Sequence, residues 1–228
     1  MKITYYGHSC FSVLIGNTNL LFDPFITNNP LAKDINVESI KADYILISHG
    51  HEDHIADVPL ILKNNPNSIL ISSFEIVNYY IKTHYLANYK YLGIGGTIDL
   101  GSFSVEMAPA VHSSSFPDGS YAGLAAGFII DDNKNRIYYA GDTSIFTDMR
   151  LISEIKPLTL AILPIGNIFT MCIQKALKSA ELLNVNKIMG VHYNTFPLIE
   201  INLLDAVNLF SKKQKELLLP KIGATIEL

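Results

Sequence analysis

A six-residue segment from His49 to His54 concentrates side chains that can bind metal ions. It reads His-Gly-His-Glu-Asp-His and places three imidazoles and two carboxylates directly after the apolar run 43–48. Imidazoles at positions i and i+2 of a loop can converge on one ion, while the adjacent Asp and His reach a second. Zn²⁺ accepts His nitrogen and carboxylate oxygen at about 2.0–2.2 Å, and catalytic sites keep one position for water. Gly50 permits the tight backbone path between the first two histidines.

The alternative interpretation of this segment is a solvated polar loop or a surface histidine cluster with adventitious metal affinity. The chain has seven histidines, and three of them lie in this one loop. A globular chain seldom concentrates imidazoles in this way without a use for them. We therefore interpret 49–54 as part of a metal site.

Three further residues with ligand chemistry come at the ends of predicted strands: His112, Asp142 and His192. Taken singly, each histidine would be a hydrogen-bonded strand-end residue. Asp142 alone would be an N-cap for a helix near Phe146, because Gly-Asp-Thr-Ser is a strong capping composition. The histidine-rich segment favours the ligand interpretation for all three, and capping then falls to Thr143 or Ser144.

The elements that must position these residues follow an α/β rhythm. β-branched and aromatic residues between turn signals predict short antiparallel strands within 2–22. Apolar runs and helical periodicity predict strands at 43–48, 68–72, 103–108, 124–131, 136–140, 160–163 and 187–191, and helices at 58–63, 75–82, 146–155 and 173–183. The two halves share this order and no linker separates them. We therefore predict one domain over 1–228, with an internal duplication left open.

Composition and charge restrict the class of protein. The chain has 228 residues, of which 49% are hydrophobic and 17% charged, and its formal charge is −4 from 17 Lys and Arg against 21 Asp and Glu. Such a chain folds around a large interior, which excludes a disordered tail or a coiled coil. The negative balance argues against a broad nucleic-acid surface.

Cysteine usage and hydropathy bear on the compartment. Cys10 and Cys172 form no C-x-x-C motif, so neither a disulfide framework nor a thiolate zinc site is indicated. The N-terminus lacks the apolar stretch of a secretory leader, and apolar runs such as 124–130 are far shorter than the roughly 20 residues that span a bilayer. We predict a soluble protein of the reducing cytoplasm.

The pattern His-x-His-x-Asp-His after a strand, with the three later residues, resembles the signature of the metallo-β-lactamase superfamily. The segments Tyr6-Gly7-His8-Ser9, Asp23-Pro24-Phe25 and 192–197 resemble the small metal-dependent hydrolases near the ascorbate-phosphate lactonase branch. One departure is Cys172-Ile173-Gln174, where related sequences carry Gly or Pro and then acidic residues. The resemblance implies a four-layer αβ/βα sandwich, with two mixed sheets face to face, helices outside and a dinuclear metal site at one edge.

The resemblance also implies a role for each ligand. One metal would be held by His49, His51 and His112, the other by Asp53, His54 and His192, and Asp142 would bridge them. A hydroxide in the bridging position would attack a carbonyl or phosphoryl centre, since bound cations lower the pKa of water toward about 7. Asp53 would also orient this nucleophile. The implied cofactor is two divalent ions, with zinc preferred and manganese or iron as alternatives.

Several residues keep more than one interpretation. His8 and Asn194 are candidates for contacting substrate or supporting a ligand, and His8 could also be a turn histidine. Cys172 is interpreted as a small buried residue at a helix start rather than a reactive thiol. His84 is expected at the exposed C-terminal end of a helix.

The function predicted from the sequence is metal-dependent hydrolysis of a small ester, lactone or phosphorylated metabolite. The runner-up is a phosphodiesterase or nuclease of the same superfamily, which would need a basic surface that the charge balance does not supply. A di-iron oxidoreductase and a non-catalytic metal-binding module are further alternatives. The expected partner is a small-molecule substrate, with no nucleic acid or membrane, and the oligomeric state is left open.

Overall fold

Strands from the whole chain form two seven-stranded mixed sheets in the computed structural model, which describes residues 1–228. The first sheet contains β1 (Lys2–Gly7), β2 (Cys10–Ile15), β3 (Thr18–Phe22), β4 (Tyr44–Leu46), β5 (Ile69–Ser72), β6 (Tyr89–Tyr91) and, from the C-terminus, β14 (Thr225–Glu227). The second contains β7 (Thr97–Asp99), β8 (Ser104–Pro109), β9 (Ala126–Asp131), β10 (Arg136–Tyr139), β11 (Leu160–Pro164), β12 (Lys187–Val191) and β13 (Glu216–Leu218).

The two sheets are built in mirrored order, β14-β1-β2-β3-β4-β5-β6 and β13-β12-β11-β10-β9-β8-β7. In the first, neighbours from β14 to β3 are antiparallel and those from β3 to β6 parallel. In the second, neighbours from β7 to β10 are antiparallel and those from β10 to β13 parallel. The central parallel strands are apolar along nearly their whole length, as expected for strands covered on both faces.

Helices cover the outer face of each sheet. They are α1 (Glu52–Ile55), α2 (Val58–Asn64), α3 (Phe74–His84), α4 (Met149–Ile155), α5 (Ile173–Leu182) and α6 (Leu203–Ser211). None of them is long and apolar enough to cross a lipid bilayer.

Three apolar clusters hold the layers together. A cluster of 22 buried residues lies between the sheets, where Phe11 and Phe22 stack with ring centroids 4.6 Å apart. A cluster of 17 packs α1, α2 and α3 on the first sheet, and a cluster of 20 packs α4, α5 and α6 on the second. This confirms the predicted αβ/βα sandwich.

The segment between β10 and α4 differs from the prediction. The helix expected at 146–155 begins at Met149, and Asp148 occupies its N-cap position. Capping by Thr143 or Ser144 is therefore wrong. The Thr143 hydroxyl accepts from Val111 N at 2.9 Å and donates to Ser144 O at 2.7 Å, so it ties the loop after β8 to the loop after β10.

Candidate metal centre

Loops from both sheets meet at one edge of the sandwich, where they bring together all seven residues predicted as ligands. We call this the seven-residue cluster: His49, His51, Asp53, His54, His112, Asp142 and His192. These residues follow β4, β8, β10 and β12. The backbone joins the sheets at the same edge, since His192 N donates to His8 O at 2.9 Å and Ala126 N donates to Ser48 O at 3.0 Å.

Three imidazoles form one half of the cluster, which we call the first group: His49, His51 and His112. One ring nitrogen of each lies within 4.8 Å of those of the other two, and His49 Nε2 is 2.9 Å from His51 Nδ1. The loop carrying the first two is held close to its neighbours. A Cβ on Gly50 would lie 2.3 Å from the Cβ of Ala122, so only glycine fits this approach.

The other half, which we call the second group, contains Asp53, His54 and His192, with His8 beside them. These four also place one ligand atom each within 4.8 Å of one another. Asp53 Oδ1 is 3.9 Å from His54 Nε2, and Asp53 Oδ2 is 3.6 Å from His192 Nε2. Both histidines are fully buried, and Asp53 retains 28% exposure of its side chain. The carboxylate thus lies at the solvent side of this group.

Asp142 lies between the two groups. Its Oδ2 is 3.0 Å from His192 Nε2 and 3.4 Å from His54 Nε2 in the second group, and 3.7 Å from His112 Nε2 in the first. The side chain is 3% exposed. One buried carboxylate oxygen therefore faces both groups, which is the position that a bridging ligand needs.

A second buried carboxylate, Asp23, orients histidines of both groups. Its Oδ2 accepts from His54 Nδ1 at 2.8 Å and from the Ser48 hydroxyl at 2.5 Å. The same hydroxyl accepts from His49 Nδ1 at 3.0 Å. With Nδ1 donating in both rings, Nε2 is the atom of each ring that is left to bind a metal ion. Fixing a ligand's tautomer through its other nitrogen is a common feature of metal sites.

The pKa shifts of the histidines differ between the first group and the second group. Burial lowers the pKa of each imidazole in the first group, so these rings are neutral at neutral pH. In the second group burial also lowers the pKa of His54 and His192, but the neighbouring carboxylates raise it by more. Asp142 and Asp53 raise the pKa of His192 to about 9, and Asp142, Asp53 and Asp23 hold that of His54 well above its usual value.

The donor set fits divalent metal ions. His54 Nε2 and Asp142 Oδ1 are buried and have no hydrogen-bond partner. Unpaired buried polar atoms are costly, so their presence together indicates a ligand that accepts electron pairs from nitrogen and oxygen. The two groups with Asp142 would hold two such ions. Asp23 is close enough to His49 and His54 to form a third group, but its oxygens are already occupied by hydrogen bonds.

Metal binding should release protons from the second group, because a metal ligand must be a neutral imidazole. At pH 7.5 we expect the metal-free protein to lose about two protons on saturation with zinc, from His54 and His192, and up to one more from metal-bound water. The release from His192 should decline as the pH rises through about 9, where its proton is already lost. Calorimetry in buffers of different ionisation enthalpy measures this number. His84→Gln is the control, and release of fewer than one proton would contradict the assignment.

The remaining predicted residues occupy distinct positions. His8 is 1% exposed; its Nε2 donates to Asp53 Oδ2 at 3.0 Å, and its Nδ1 accepts from the Thr195 hydroxyl at 2.9 Å. His8 lies in the turn between β1 and β2, and these contacts fit the interpretation that its side chain supports the predicted ligand Asp53.

Asn194 Oδ1 accepts from Ile201 N at 2.8 Å and so holds the loop after His192 in place. Cys172 is the N-cap of α5 and is half-buried rather than buried, and His84 is exposed at the end of α3 as predicted.

Four supporting residues were not found from the sequence. They are Asp23, Ser48, Thr195 and Tyr139, whose hydroxyl donates to Asp23 Oδ2 at 2.6 Å. The sequence contained one signal for this set, because Asp23 comes directly after the apolar strand β3 and directly before a proline. Tyr139 lies 116 residues further along the chain, so only the packed sheets bring the two together.

Comparisons with known proteins identify the family and the fold. The sequence profile described as a β-lactamase superfamily domain matches residues 18–193. The UPF0173 metal-dependent hydrolase of Flavobacterium johnsoniae is 44% identical over 228 residues, which cover 100% of both chains. The solved structure of Igni18, a metallo hydrolase from Ignicoccus hospitalis, has a TM-score of 0.87 at 33% identity and covers 100% of this chain and 98% of its own. The metallo-β-lactamase fold protein YhfI of Bacillus subtilis has a TM-score of 0.74 at 19% identity over 99% of both chains, a likeness of fold.

The full-length identity to curated relatives and the agreement of the two-sheet fold together establish the family. The chain is a member of the metallo-β-lactamase superfamily and, within it, of the UPF0173 family of metal-dependent hydrolases.

Proposed function

We propose that the chain binds two divalent cations in the seven-residue cluster and hydrolyses a small ester, lactone or phosphorylated metabolite. The observation that carries the proposal is the position of Asp142 Oδ2, which lies within 3.7 Å of ligand nitrogens from both groups. The first group would hold one ion, the second group the other, and Asp142 would bridge them. Zinc suits five imidazoles and two carboxylates best, with manganese or iron as alternatives.

The chain's own residues would prepare the reaction around these ions. When bound, the cations supply a hydroxide nucleophile near neutral pH and an electrophile for the substrate oxygen. Asp53 is the exposed carboxylate of the cluster and would orient the attacking water toward the substrate. His8 would fix the rotamer of Asp53, because burial lowers the pKa of His8 to about 4 and leaves it a neutral Nε2–H donor.

The likeness of the segments around His8, Asp23 and His192 to the ascorbate-phosphate lactonase branch supports attack on an ester or lactone carbonyl. A phosphodiesterase or nuclease would use the same ions but needs cationic side chains along the path of the nucleic acid. No observation at this edge of the sandwich favours that alternative.

A chelator-controlled substrate screen tests the proposal. Ester, lactone and phosphoester substrates would be offered to the protein as purified, after chelation, and after re-addition of zinc or manganese. We expect hydrolysis of at least one class, its loss on chelation and its return with metal. Hydrolysis that survives removal of all bound metal, or no hydrolysis in any class by the metal-loaded protein, would contradict it.

Replacement of His8 by Ala should lower kcat by about 10- to 100-fold while both metals stay bound, as is usual for residues that orient a ligand. The reason is that Asp53 loses the Nε2–H donor that fixes its orientation. His84→Ala makes the same chemical change at an exposed helix end and is the matched control. Steady-state kinetics with metal analysis measures the effect, and equal activity of the two variants would remove the role assigned to His8.

A further inference from the structure

The stretches of chain that carry the metal cluster contain no Lys or Arg. Lys and Arg are absent from 3–32, 42–62, 91–133, 137–149, 157–174 and 188–211. These stretches include every residue of the seven-residue cluster together with His8 and Asp23. The long loop after β3 contains Lys33 and Lys41 beyond the first stretch, and the other Lys and Arg residues also lie elsewhere in the chain. An anionic group on a substrate would therefore find no Lys or Arg within these stretches.

Large apolar side chains are exposed in the same loops. Val111, directly before His112, is 53% exposed, and Ile168, Phe169 and Leu198 are 60%, 52% and 65% exposed. Ile168 and Phe169 lie in the loop after β11, and Leu198 lies in the loop after β12 that begins with His192. A Cβ on Gly166 would be 2.1 Å from His192 O and 3.0 Å from Ile199 Cβ, so the two loops touch at this point. We call Val111, Ile168, Phe169 and Leu198 the apolar rim.

The backbone at Ile168 shows that this apolar residue is held in an unfavourable conformation. Its φ is +50°, in the left-handed region, where a β-branched residue is a genuine outlier. The turn is fixed from both sides, since Asn167 N donates to Met171 O at 2.9 Å and Thr170 N donates to Asn167 O at 3.1 Å. Glycine or asparagine would adopt this conformation without strain. Strained residues that the surrounding structure holds in place concentrate at binding and catalytic sites.

We infer that the substrate is uncharged and that its aryl or branched alkyl group rests on the apolar rim while the scissile bond lies at the metal centre. The inference rests on the proposed function and narrows it to esters, lactones or neutral phosphoesters. Exposed apolar surface next to a reaction centre favours burial of an apolar group. A carboxylate or phosphate away from the scissile bond, and so away from the metal ions, would bring charge to stretches without a Lys or Arg to pair with it.

A matched pair of aryl esters tests the inference on the zinc-loaded protein. Methyl 4-acetoxybenzoate and 4-acetoxybenzoate share the same scissile acetate and differ in a methyl ester against a carboxylate. We expect kcat/KM for the neutral ester to exceed kcat/KM for the anion by at least about tenfold, because the transition state of the neutral ester is bound more tightly. Most of the difference should lie in KM.

Two substitutions complete the design. Phe169→Lys adds a cation to the apolar rim and should reduce the neutral-to-anion ratio by tenfold or more. Ile155→Lys makes a comparable change at the last residue of α4, where Ile155 is 78% exposed, and should leave the ratio unchanged. If both esters react equally, or if the two lysine variants behave alike, the inference is overturned while the hydrolase assignment stands. If the zinc-loaded protein hydrolyses neither ester nor any substrate of the screen, the proposed function fails and the inference fails with it.

Discussion

Replacement of Asp142 by Ala is expected to lower kcat/KM by about three orders of magnitude, or roughly 4 kcal/mol of transition-state stabilisation, without unfolding the chain. Its Oδ2 faces ligand nitrogens from both groups at 3.0–3.7 Å. Loss of this oxygen should free at least one ion. It should also lower the pKa values of His54 and His192, since Asp142 is the main charge that raises them.

Two companion variants make the Asp142 result specific. Asp142→Asn keeps the volume and one oxygen but removes the charge, so it should retain more metal than Asp142→Ala. Asp34→Ala removes an exposed carboxylate outside the cluster and should behave as wild type. Bound metal and kcat/KM would be measured on protein whose circular dichroism is unchanged. Wild-type turnover with two bound ions in Asp142→Ala would exclude a bridging role.

Replacement of Asp23 by Ala should destabilise the metal-free protein by about 3–5 kcal/mol, the usual range when one member of a buried charged pair is removed. Asp23 is fully buried and accepts four hydrogen bonds, from Ser48 N, the Ser48 hydroxyl, His54 Nδ1 and the Tyr139 hydroxyl. Without it, these donors remain buried and unpaired. Its φ of +41° adds to the cost, because Ala tolerates this region less well than Asp.

Milder variants keep the Asp23 prediction testable if the Ala variant does not fold. Tyr139→Phe removes one donor and should cost about 1 kcal/mol. Asp23→Asn keeps a residue that tolerates the left-handed backbone at this position, so its loss of stability should lie between those of Tyr139→Phe and Asp23→Ala. Urea unfolding in the presence of chelator measures all three. If Asp23→Asn lowered the free energy of unfolding by no more than Tyr139→Phe does, Asp23 would not organise this edge.

Much of the site could be predicted because its ligands lie at strand ends. The apolar run before His49 and the short spacing from His49 to His54 already place three imidazoles and a carboxylate at one sheet edge. His112, Asp142 and His192 end other strands, and the family resemblance identified them as partners. The alternation of β1 and the hairpin between β9 and β10 similarly follow from local patterns.

Other features depend on contacts that no local pattern encodes. Asp23 is a turn residue in the sequence and becomes an acceptor for four donors only when β3, β4 and β10 come together. The three-residue strands β6, β7, β13 and β14 were not predicted individually, because exposed edge strands are defined by pairing with their neighbours. The start of α4 was misplaced since the Thr143 hydroxyl binds the loop after β8 rather than a helix end.

The most direct measurement of the metal centre is anomalous diffraction at the zinc absorption edge from crystals of the zinc-loaded protein. The proposed function predicts two peaks about 3.5–4 Å apart, the separation usual for two-metal hydrolytic sites. One peak should lie against His49, His51 and His112, the other against Asp53, His54 and His192, with Asp142 touching both. A single ion in the cluster, or zinc bound only by other residues, would contradict the dinuclear assignment.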